Sequence, residues 1–397
     1  MKVLVACDEY SYRFGKDFYL RDFGQILVKR YLMVFDEVRF VVRTREVFAL
    51  EELKIYKYIV EDPRVEVVPV PFFQGPLQYA KVYFSVKRMM EKVAEGCDLV
   101  ILRVPSTTAF AVWDSIKSCF PYAIEGVADC YDIYQNSSSL LHKILWYRMH
   151  CKMLEASHKA MGISCVTRNY MQKHYSSHRK DRIFSHYSSI EMLAAFRSGN
   201  RHYLQKKPWG LIHVSNQVFL YSGKGHREMI LILRILRERG VDVTLTFVGG
   251  DYFGGIAQLT QYAKSLGVGD LLRFSGFVST DRLRELLLEA DILVYPTRAE
   301  GLPRVIIEAS ALGLPCVTTP VSGNTELIDK DFLVDYSDVR GFADKIEILI
   351  NDKYLYENQS RINYERSAAY CKDVLDSRRK EFYESLKDAV NNDIVLT

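Results

Sequence analysis

The chain alternates short apolar stretches with longer amphipathic ones, and this alternation constrains its fold more than any other feature. KVLVAC, VRFVVRT, VEVVPV and DLVILRVP have the length and apolar character of buried strands. Between them, RDFGQILVKRYLMVF and LQYAKVYFSVKRMMEKV repeat their apolar residues at helical spacing. Strands that alternate with helices form βαβ units around a parallel sheet, so the pattern predicts an α/β fold.

The alternation pauses once and then restarts. FRSGNRHYLQKKPWG, from Phe196 to Gly210, is polar and basic, and it is followed by a second series that runs from LIHVS to PCVTT. The sequence therefore predicts two Rossmann-like, doubly wound domains that face each other across a cleft. The predicted boundaries are an N-terminal Rossmann-like domain over 1–197, a linker over 198–208, a second Rossmann-like domain over 209–372 and a C-terminal helix, 373–397, that packs back on the first domain.

Composition and charge narrow the class of protein. Apolar residues make up 48% of the chain and charged residues 26%, which is typical of a globular protein with a full core. The net charge of +4 lacks the dense basic patch of a nucleic-acid binder. It divides into +6 for residues 1–200 (28 Lys and Arg against 22 Asp and Glu) and −2 for the rest (25 against 27). A mildly basic first half suits an anionic substrate or membrane surface.

The cysteines and the N-terminus favour a cytoplasmic protein. Eight cysteines occur without any C-x-x-C pair, a usage typical of a reducing compartment. MKVLVACDEYSY turns acidic after seven residues, so we interpret it as a strand and not a signal peptide. No apolar run reaches the roughly 18 residues that span a bilayer. We expect the protein in the cytoplasm, including at the inner face of the plasma membrane.

A dehydrogenase is the first enzyme class that two such domains suggest, but the glycines argue against it. Neither first strand–helix turn carries G-x-G-x-x-G, and GGDYFGG at 249–255 has the wrong spacing.

Two glutamates flank a strand–turn–helix unit in the second half, within YPTRAEGLPRVIIEASALG. The helix RVIIEASALG follows Gly301, Leu302 and Pro303, and its free first amides make an anion site. Glu300 before the turn is placed to accept hydrogen bonds from sugar hydroxyls, and Glu308 one turn into the helix from ribose hydroxyls. The alternative is equally open: Glu300 caps the helix dipole and Glu308 is a solvated helix residue.

The first turn of the second domain offers a cation. Lys224 and Gly225 begin a helix there, where a lysine can reach a diphosphate as a point charge. Ser215 and Asn216, at the end of the preceding strand, are hydrogen-bond donors for the same group. Taken by itself, Lys224 is equally explained as a surface residue in a turn.

Together these residues resemble glycosyltransferase family 4 of the GT-B enzymes, in the branch that builds bacterial capsules and other surface polysaccharides. The resemblance rests on Lys224-Gly225, on the run from FSGFVST to SGNTELI over 274–328, and on the spacing Glu300-x7-Glu308. It is weaker in the first domain, through ILRVPSTTAFAVW, YAIEGVADCYDIY and ISCVTRNYMQKHY.

The resemblance implies a retaining, metal-independent hexosyltransferase without a cofactor. Its donor would be a nucleotide-sugar, a UDP-sugar in preference to a GDP-sugar, bound by the domain over 209–372. Its acceptor would be a glycan or lipid-linked molecule, bound by the domain over 1–197. Lys224 would bind the diphosphate, Glu300 the donor sugar and Glu308 the ribose, while Phe277 and Val278 frame the base. Many family members carry an arginine where this chain has Ser215-Asn216. This chain therefore lacks a second phosphate-binding cation at that position.

The first domain yields fewer candidates. Asp129 in EGVADCYD is a candidate catalytic contact to the sugar or acceptor, and equally a turn residue. Gly15 either lets the backbone approach the donor phosphate or is a plain turn glycine. SLLHKILWYRMHCKMLEASHKA, residues 139–160, is a core helix or one that lies on an anionic membrane.

Two other functions remain open at this point. One is a catalytically weak GT-B protein that binds a nucleotide-sugar, and the other is a nucleotide-sugar epimerase. The missing arginine favours the former, whereas Glu300, Glu308 and Lys224 favour a transferase.

Overall fold

A computed structural model describes residues 1–116, 120–137, 139–175, 182–205 and 208–393. The chain divides into two compact units. The first comprises Met1–Tyr131, Ile144–Tyr187 and Asp376–Thr397, and the second comprises Asp132–Lys143 and Ser188–Leu375.

The first unit is built on a nine-stranded sheet. Its strands are β1 (Lys2–Phe14), β2 (Asp17–Leu20), β3 (Glu37–Glu46), β4 (Tyr58–Ile59), β5 (Val65–Pro71), β6 (Leu99–Val104), β7 (Tyr122–Gly126), β8 (Gly162–Cys165) and β9 (Ile183–His186). The parallel part runs in the order β5-β3-β1-β6-β7-β8-β9. Each residue of β6 is buried, as expected for a central parallel strand covered on both faces.

The first strand is much longer than its neighbours. Val3 to Ala6 pair with β3 and β6, and after an irregularity Ser11 to Phe14 pair with the antiparallel β2. β1 therefore extends beyond the carboxyl edge of the parallel sheet as a hairpin. The helices up to the end of β9 are α1 (Asp22–Leu32), α2 (Gly75–Met90), α3 (Thr107–Ile116), α4 (Cys130–Asn136), α5 (Leu140–Lys159) and α6 (Tyr170–Tyr175).

The second unit contains a five-stranded, fully parallel sheet in the order β12-β11-β10-β13-β14. The strands are β10 (Trp209–Gln217), β11 (Val243–Gly250), β12 (Leu272–Phe274), β13 (Ile292–Tyr295) and β14 (Cys316–Thr318). The remaining helices are α7 (His226–Glu238), α8 (Gly255–Ser265), α9 (Thr280–Glu289), α10 (Arg304–Ala311), α11 (Asn324–Leu327), α12 (Val339–Asn351), α13 (Lys353–Ser367) and α14 (Lys372–Asp393).

The described part of the predicted linker, 198–205 and 208, lies inside the second unit. Arg201 donates hydrogen bonds to the carbonyl oxygens of Leu312, Ala290 and Leu287. Its polar composition suggested a free connection, but the guanidinium group instead satisfies carbonyls at the ends of α9 and α10.

A buried charged cluster ties the last helix to the sheet of the first unit. Glu125 on β7 accepts hydrogen bonds from Arg103 of β6 and from the hydroxyl groups of Tyr31, Tyr187 and Tyr383. Burial by itself would raise the pKa of Glu125, but the guanidinium and the three hydroxyls outweigh burial and lower it. Because Tyr383 lies in α14, this cluster joins the C-terminal helix to the N-terminal sheet.

Candidate functional site

The functional candidates of the second unit meet at the carboxyl edge of its sheet. β10 and β13 are hydrogen-bonded neighbours, so the loops that follow them leave the sheet side by side. The loop after β10 carries Lys224, and the loop after β13 carries Glu300. This edge is where ligands of open parallel sheets bind.

The Glu300 carboxylate is fixed by three donors. Its Oε1 accepts hydrogen bonds from the Lys224 ammonium group (2.5 Å), the Tyr295 hydroxyl (2.8 Å) and the Thr297 hydroxyl (2.9 Å). The Glu300 side chain is only 10% exposed, and that of Lys224 is 38% exposed. Burial, together with the Glu300 charge and hydrogen bond, raises the pKa of Tyr295 well above its ordinary value, so the phenol stays a donor. Since all three bonds go to Oε1, the carboxylate is oriented while Oε2 takes none of them.

The Lys224 turn owes its shape to a glycine. Gly225 has φ +74° and precedes α7, and a Cβ at this position would lie 2.0 Å from the carbonyl oxygen of Pro296. The amide of Arg298 donates to the carbonyl of Gly223 (2.9 Å), so the two loops are joined on both sides of Lys224. The backbone of one loop therefore sets where the ammonium group of the other lies.

Replacing Gly225 by alanine is expected to lower the free energy of unfolding by about 3 kcal/mol or more, because a strained φ and a steric clash combine. Gly240→Ala is the matched control: Gly240 has φ +73°, and a Cβ placed on it would meet nothing within 4 Å. Urea denaturation of both variants measures the two losses. Equal losses in the two variants would contradict the role of the Pro296 contact.

Two buried histidines, which the sequence patterns did not reveal, support this turn. The Ser222 hydroxyl lies 2.5 Å from His226 Nδ1 and accepts the Lys224 amide (3.2 Å), while His226 Nε2 lies 2.9 Å from the Ser215 hydroxyl. Burial lowers the pKa of His226 to about 2, and that of its ring neighbour His213 to about 4. Both imidazoles are therefore neutral at physiological pH. His226 hydrogen-bonds Ser215 and Ser222, and His213 hydrogen-bonds the carbonyl of Val294.

The predicted donors at the end of β10 are placed differently from each other. The Ser215 hydroxyl donates to the carbonyl of Gln217 (2.7 Å) and contacts His226, so its proton is already engaged within the protein. This arrangement gives Ser215 a structural part instead of the predicted contact with a ligand. Asn216 is exposed at the same edge.

A second cation, the guanidinium group of Arg298, borders the site from a different loop. Arg298, two residues before Glu300, is exposed, and its guanidinium carbon lies 4.4 Å from the centre of the Tyr336 ring. The chain thus has an arginine beside the Lys224 turn although the end of β10 lacks one. Its place in the loop after β13 explains why a comparison of first-strand residues overlooks it.

Glu308 lies within α10 without a hydrogen-bond partner among the described residues. Burial raises the pKa of its carboxyl group, and the nearby Arg304 charge only partly opposes this effect. A desolvated carboxylate without a donor is unfavourable in the absence of a ligand. Glu308 is therefore suited to accept hydrogen bonds from a bound molecule.

The turn between the two glutamates is closely packed. Gly301 accepts a hydrogen bond from the amide of Gly323 (3.0 Å), Leu302 is buried, and Pro303 precedes the first residue of α10. A Cβ on Gly323 would lie 2.4 Å from Leu302 Cδ1, so the turn is held against the chain that follows β14. The amides of the first turn of α10 are thereby presented next to Glu300.

Phe277 and Val278 follow β12 at the outer side of the same edge. Phe277 is 77% exposed, which leaves its ring free to stack on a planar ligand. Val278 beside it is half-buried.

In the first unit, Asp129 is fully buried after β7 and uses both of its oxygens. Oδ1 accepts from the Tyr175 hydroxyl and the Tyr131 amide (both 2.8 Å), and Oδ2 lies 2.8 Å from His174 Nδ1. The sequence suggested a direct contact between Asp129 and a substrate, but these bonds leave it no exposed oxygen. His174, whose side chain is 26% exposed, is the member of this pair that faces outward.

Gly15 forms the tip of the hairpin between β1 and β2. Its φ of +59° lies in the left-handed region, and nothing lies within 4 Å of a Cβ placed there. The turn conformation accounts for a glycine at this position.

Three absences hold for the described residues alone. None of their His, Cys, Asp and Glu side chains form a group of three or more that could hold a metal ion. Their helices include none with the length and apolar character needed to cross a membrane. Their seven cysteines form no disulfide bond, and Cys119 lies outside the described residues.

Comparison with known families finds a match within the second unit. Residues 205–366 match the family described as glycosyl transferases group 1. The chain is 24% identical over 397 residues to Protein CapJ of Staphylococcus aureus, covering 99% of this chain and 97% of that protein. It is 30% identical to N-acetyl-alpha-D-glucosaminyl L-malate synthase of Bacillus anthracis over 46% of this chain and 48% of that protein. Capsular polysaccharide biosynthesis glycosyltransferase CapM of S. aureus is 29% identical over 35% of this chain and 36% of CapM.

Solved structures share the fold across the whole chain. Sucrose-phosphate synthase from Thermosynechococcus elongatus has a TM-score of 0.71 at 14% identity, covering 98% of this chain and 99% of that one. HepE of Anabaena, solved in complex with UDP-glucose, has a TM-score of 0.61 at 16% identity, covering 97% and 100%. The predicted fold, two Rossmann-like domains of the GT-B type, is confirmed.

Proposed function

We propose that this glycosyltransferase, in which residues 205–366 form the glycosyl transferases group 1 domain, moves a hexose from a UDP-sugar to a glycan or lipid-linked acceptor. The transfer would retain the anomeric configuration and need no metal ion, and it would serve capsular or other surface-polysaccharide synthesis. The observation that carries the proposal is the Lys224–Glu300 pair beside the amides of α10, with the unpartnered Glu308 one turn further along. The name of CapM, a capsular polysaccharide biosynthesis glycosyltransferase, supports the polysaccharide role, and the UDP-glucose in HepE supports the donor.

Each part of the donor finds complementary groups at this edge. The Glu308 carboxylate accepts hydrogen bonds from the vicinal ribose hydroxyls, and these bonds offset its desolvation. The exposed ring of Phe277, with Val278, borders the base. The diphosphate lies between the Lys224 ammonium group and the first amides of α10, where a helix terminus favours negative charge. Asn216 is a further exposed donor at the end of β10.

Glu300 binds the sugar instead of the phosphate. Because its Oε1 is held by Lys224, Tyr295 and Thr297, the carboxylate cannot rotate away, and Oε2 is directed to the donor sugar hydroxyls. The ion pair with Lys224 also offsets the repulsion between this carboxylate and a neighbouring diphosphate.

The chemical step relies on stabilising the leaving group. Negative charge grows on the diphosphate as its bond to the anomeric carbon breaks, and Lys224 and the α10 amides are already oriented toward that charge. The departing phosphate oxygen accepts the proton of the acceptor hydroxyl, whose oxygen forms the new glycosidic bond on the same face. No protein base is required for this proton balance.

In the first unit, the Asp129–His174 pair is our candidate for the acceptor side. Asp129 fixes the imidazole through Nδ1, which leaves the half-exposed ring of His174 to contact a hydroxyl. This changes the part of Asp129 from a catalytic contact to a positioning residue. A lipid-linked acceptor would place the enzyme at the inner face of the plasma membrane.

UDP binding tests the proposal directly. We expect UDP to raise the melting temperature more than GDP does, and Glu308→Gln to weaken UDP binding about ten-fold or more, because hydrogen bonds to a charged acceptor are lost. Since burial raises the pKa of Glu308 above its ordinary value, wild-type affinity should fall as the pH is lowered through that raised pKa and the carboxylate gains a proton. The variant should lack this pH dependence.

Glu289→Gln, on the exposed surface of α9, is the control and should bind UDP like the wild type. If neither UDP, GDP nor their sugars stabilise the protein, the donor site is wrong. If UDP binds, an NMR assignment of the product anomer and a rate measured in EDTA test retention and metal independence.

A further inference from the structure

Helix α2 of the first unit is exposed along nearly its whole length. Of its 16 residues only Val86 and Met90 are buried. Leu77 is 82% exposed and Phe84 is 80% exposed, with Tyr83 beside them at 42%. Val86 and Met90 pack on the inner side of the helix, as an amphipathic helix requires, whereas these three apolar side chains are left on its outer side. A patch of exposed large apolar side chains marks a surface that binds another protein or a membrane.

The charges on α2 are all of one sign. Lys81, Lys87 and Arg88 are its charged residues, and the helix contains no Asp or Glu. Leu77, Lys81, Phe84 and Arg88 recur at steps of four, three and four, so they form one stripe on which apolar and basic side chains alternate. The stripe thus offers an apolar surface with positive charge distributed along it.

A neighbouring loop extends the same surface. β3 and β5 are adjacent parallel strands, so the loop after β3 and the helix after β5 leave the sheet at one edge. Phe48 in that loop is 89% exposed, and Leu50 and Ile55 are 57% and 59% exposed. The start of α2 is fixed to this edge because the Tyr79 ring lies 4.9 Å from that of Phe73.

The loop itself carries no net charge. Lys54 and Lys57 balance Glu51 and Glu52, and the Glu52 carboxylate accepts hydrogen bonds from the amides of Phe48 and Ala49. The positive charge of the combined surface therefore comes from α2.

We propose that α2 and the loop 47–57, between β3 and β4, form a docking surface for an anionic lipid bilayer. Leu77, Phe84 and Phe48 would enter the headgroup region, while Lys81 and Arg88 extend along it to the lipid phosphates. The cores of protein–protein interfaces are depleted of lysine, so cations inside the stripe favour a bilayer over a protein partner. The docking surface extends the proposed function. It rests on that function in one respect, the lipid-linked acceptor.

The surface differs from the one that the sequence suggested. The segment 139–160 forms α5, whose second half buries Met153, Ala156 and Ser157, as a core helix does. Its first half exposes Leu141 (62%) and Ile144 (51%). A variant pair in that half therefore separates the two locations.

Vesicle flotation of the full chain tests the proposal. Wild-type protein should float with phosphatidylcholine vesicles that contain about a third phosphatidylglycerol, but not with pure phosphatidylcholine, and added salt should release it. The double variant Leu77→Ser, Phe84→Ser should bind at least about ten-fold more weakly, and so should Lys81→Gln, Arg88→Gln. Tyr354→Ser, at a side chain 79% exposed on α13 of the second unit, is the control and should bind normally.

Several results would overturn the proposal. One is that the α2 variants bind vesicles as tightly as the wild type does. Another is that the double variant Leu141→Ser, Ile144→Ser loses vesicle binding while the α2 variants keep it. A third is that α2 mediates a dimer of the chain and the protein does not bind vesicles. UDP titration of the same proteins keeps the two proposals apart. Vesicle binding without UDP binding would refute the donor site, whereas UDP binding without vesicle binding would refute the docking surface.

Discussion

Replacing Lys224 by methionine is expected to lower the rate of sugar transfer about a hundred-fold to a thousand-fold. In the proposed mechanism the ammonium group faces the negative charge that grows on the leaving diphosphate, and methionine keeps the length of the side chain without the charge. An oriented donor of this kind contributes about 3 kcal/mol to lowering the barrier. Steady-state transfer from UDP-sugar, with kcat and KM measured separately, gives the loss.

The same substitution also affects Glu300, which makes controls necessary. Without Lys224, the Glu300 carboxylate keeps only the Tyr295 and Thr297 hydroxyls as partners. The melting temperature of the variant must therefore be measured beside its rate. Lys264→Met, at an exposed residue of α8, should have wild-type activity. A Lys224→Met protein that stays folded and transfers sugar at the normal rate would remove Lys224 from the mechanism.

Replacing Glu125 by glutamine is expected to destabilise the first unit by about 3–5 kcal/mol, the cost of breaking a buried ion pair. Arg103 would remain buried without its counter-charge, and the amide nitrogen would face hydroxyl groups that now donate to the carboxylate. Urea denaturation followed by tryptophan fluorescence measures the loss. Because Tyr383 belongs to α14, hydrogen exchange in 376–393 should rise as well.

The pH dependence of stability provides a second measure of this cluster. The folded-state pKa of Glu125 is lowered, so its contribution is complete above the ordinary value of 4.5 and is lost as the pH falls through the lowered value. The glutamine variant lacks this component of acid unfolding. Glu155→Gln, which breaks only an exposed pair with Lys159, should change stability by less than about 0.5 kcal/mol. Comparable losses in the two variants would show that the buried cluster has no special weight.

The part of the site that follows strand ends could be predicted well from sequence. Lys224, Glu300 and the turn 301–303 lie where the alternation of strands and helices placed them, because loops after adjacent parallel strands share one edge of the sheet. Glu308 was ambiguous, since a pattern cannot show whether a carboxylate has a donor nearby. Its burial without a partner is a property of the packed helix α10.

Other parts depended on contacts between residues far apart in the chain. The patterns showed neither that Tyr295 and Thr297 hold Glu300 nor that His226 holds the Lys224 turn. The sequence suggested Asp129 as a substrate contact. Its two carboxylate oxygens instead hydrogen-bond His174 and Tyr175, which are 45 and 46 positions away in the chain. The resemblance places a phosphate-binding arginine after the first strand of the domain, whereas Arg298 lies in the loop after β13.

The sequence by itself determined the two α/β units, the sheet edge of the second unit at which we propose the donor binds, and the lysine and carboxylates placed there. Local periodicity and the geometry of parallel strands are sufficient for these conclusions. Only the tertiary structure decided which of those groups are oriented, desolvated or already engaged, and which helix is left uncovered. Burial and hydrogen bonding depend on side chains brought together from distant parts of the chain, and a local sequence pattern does not contain those contacts.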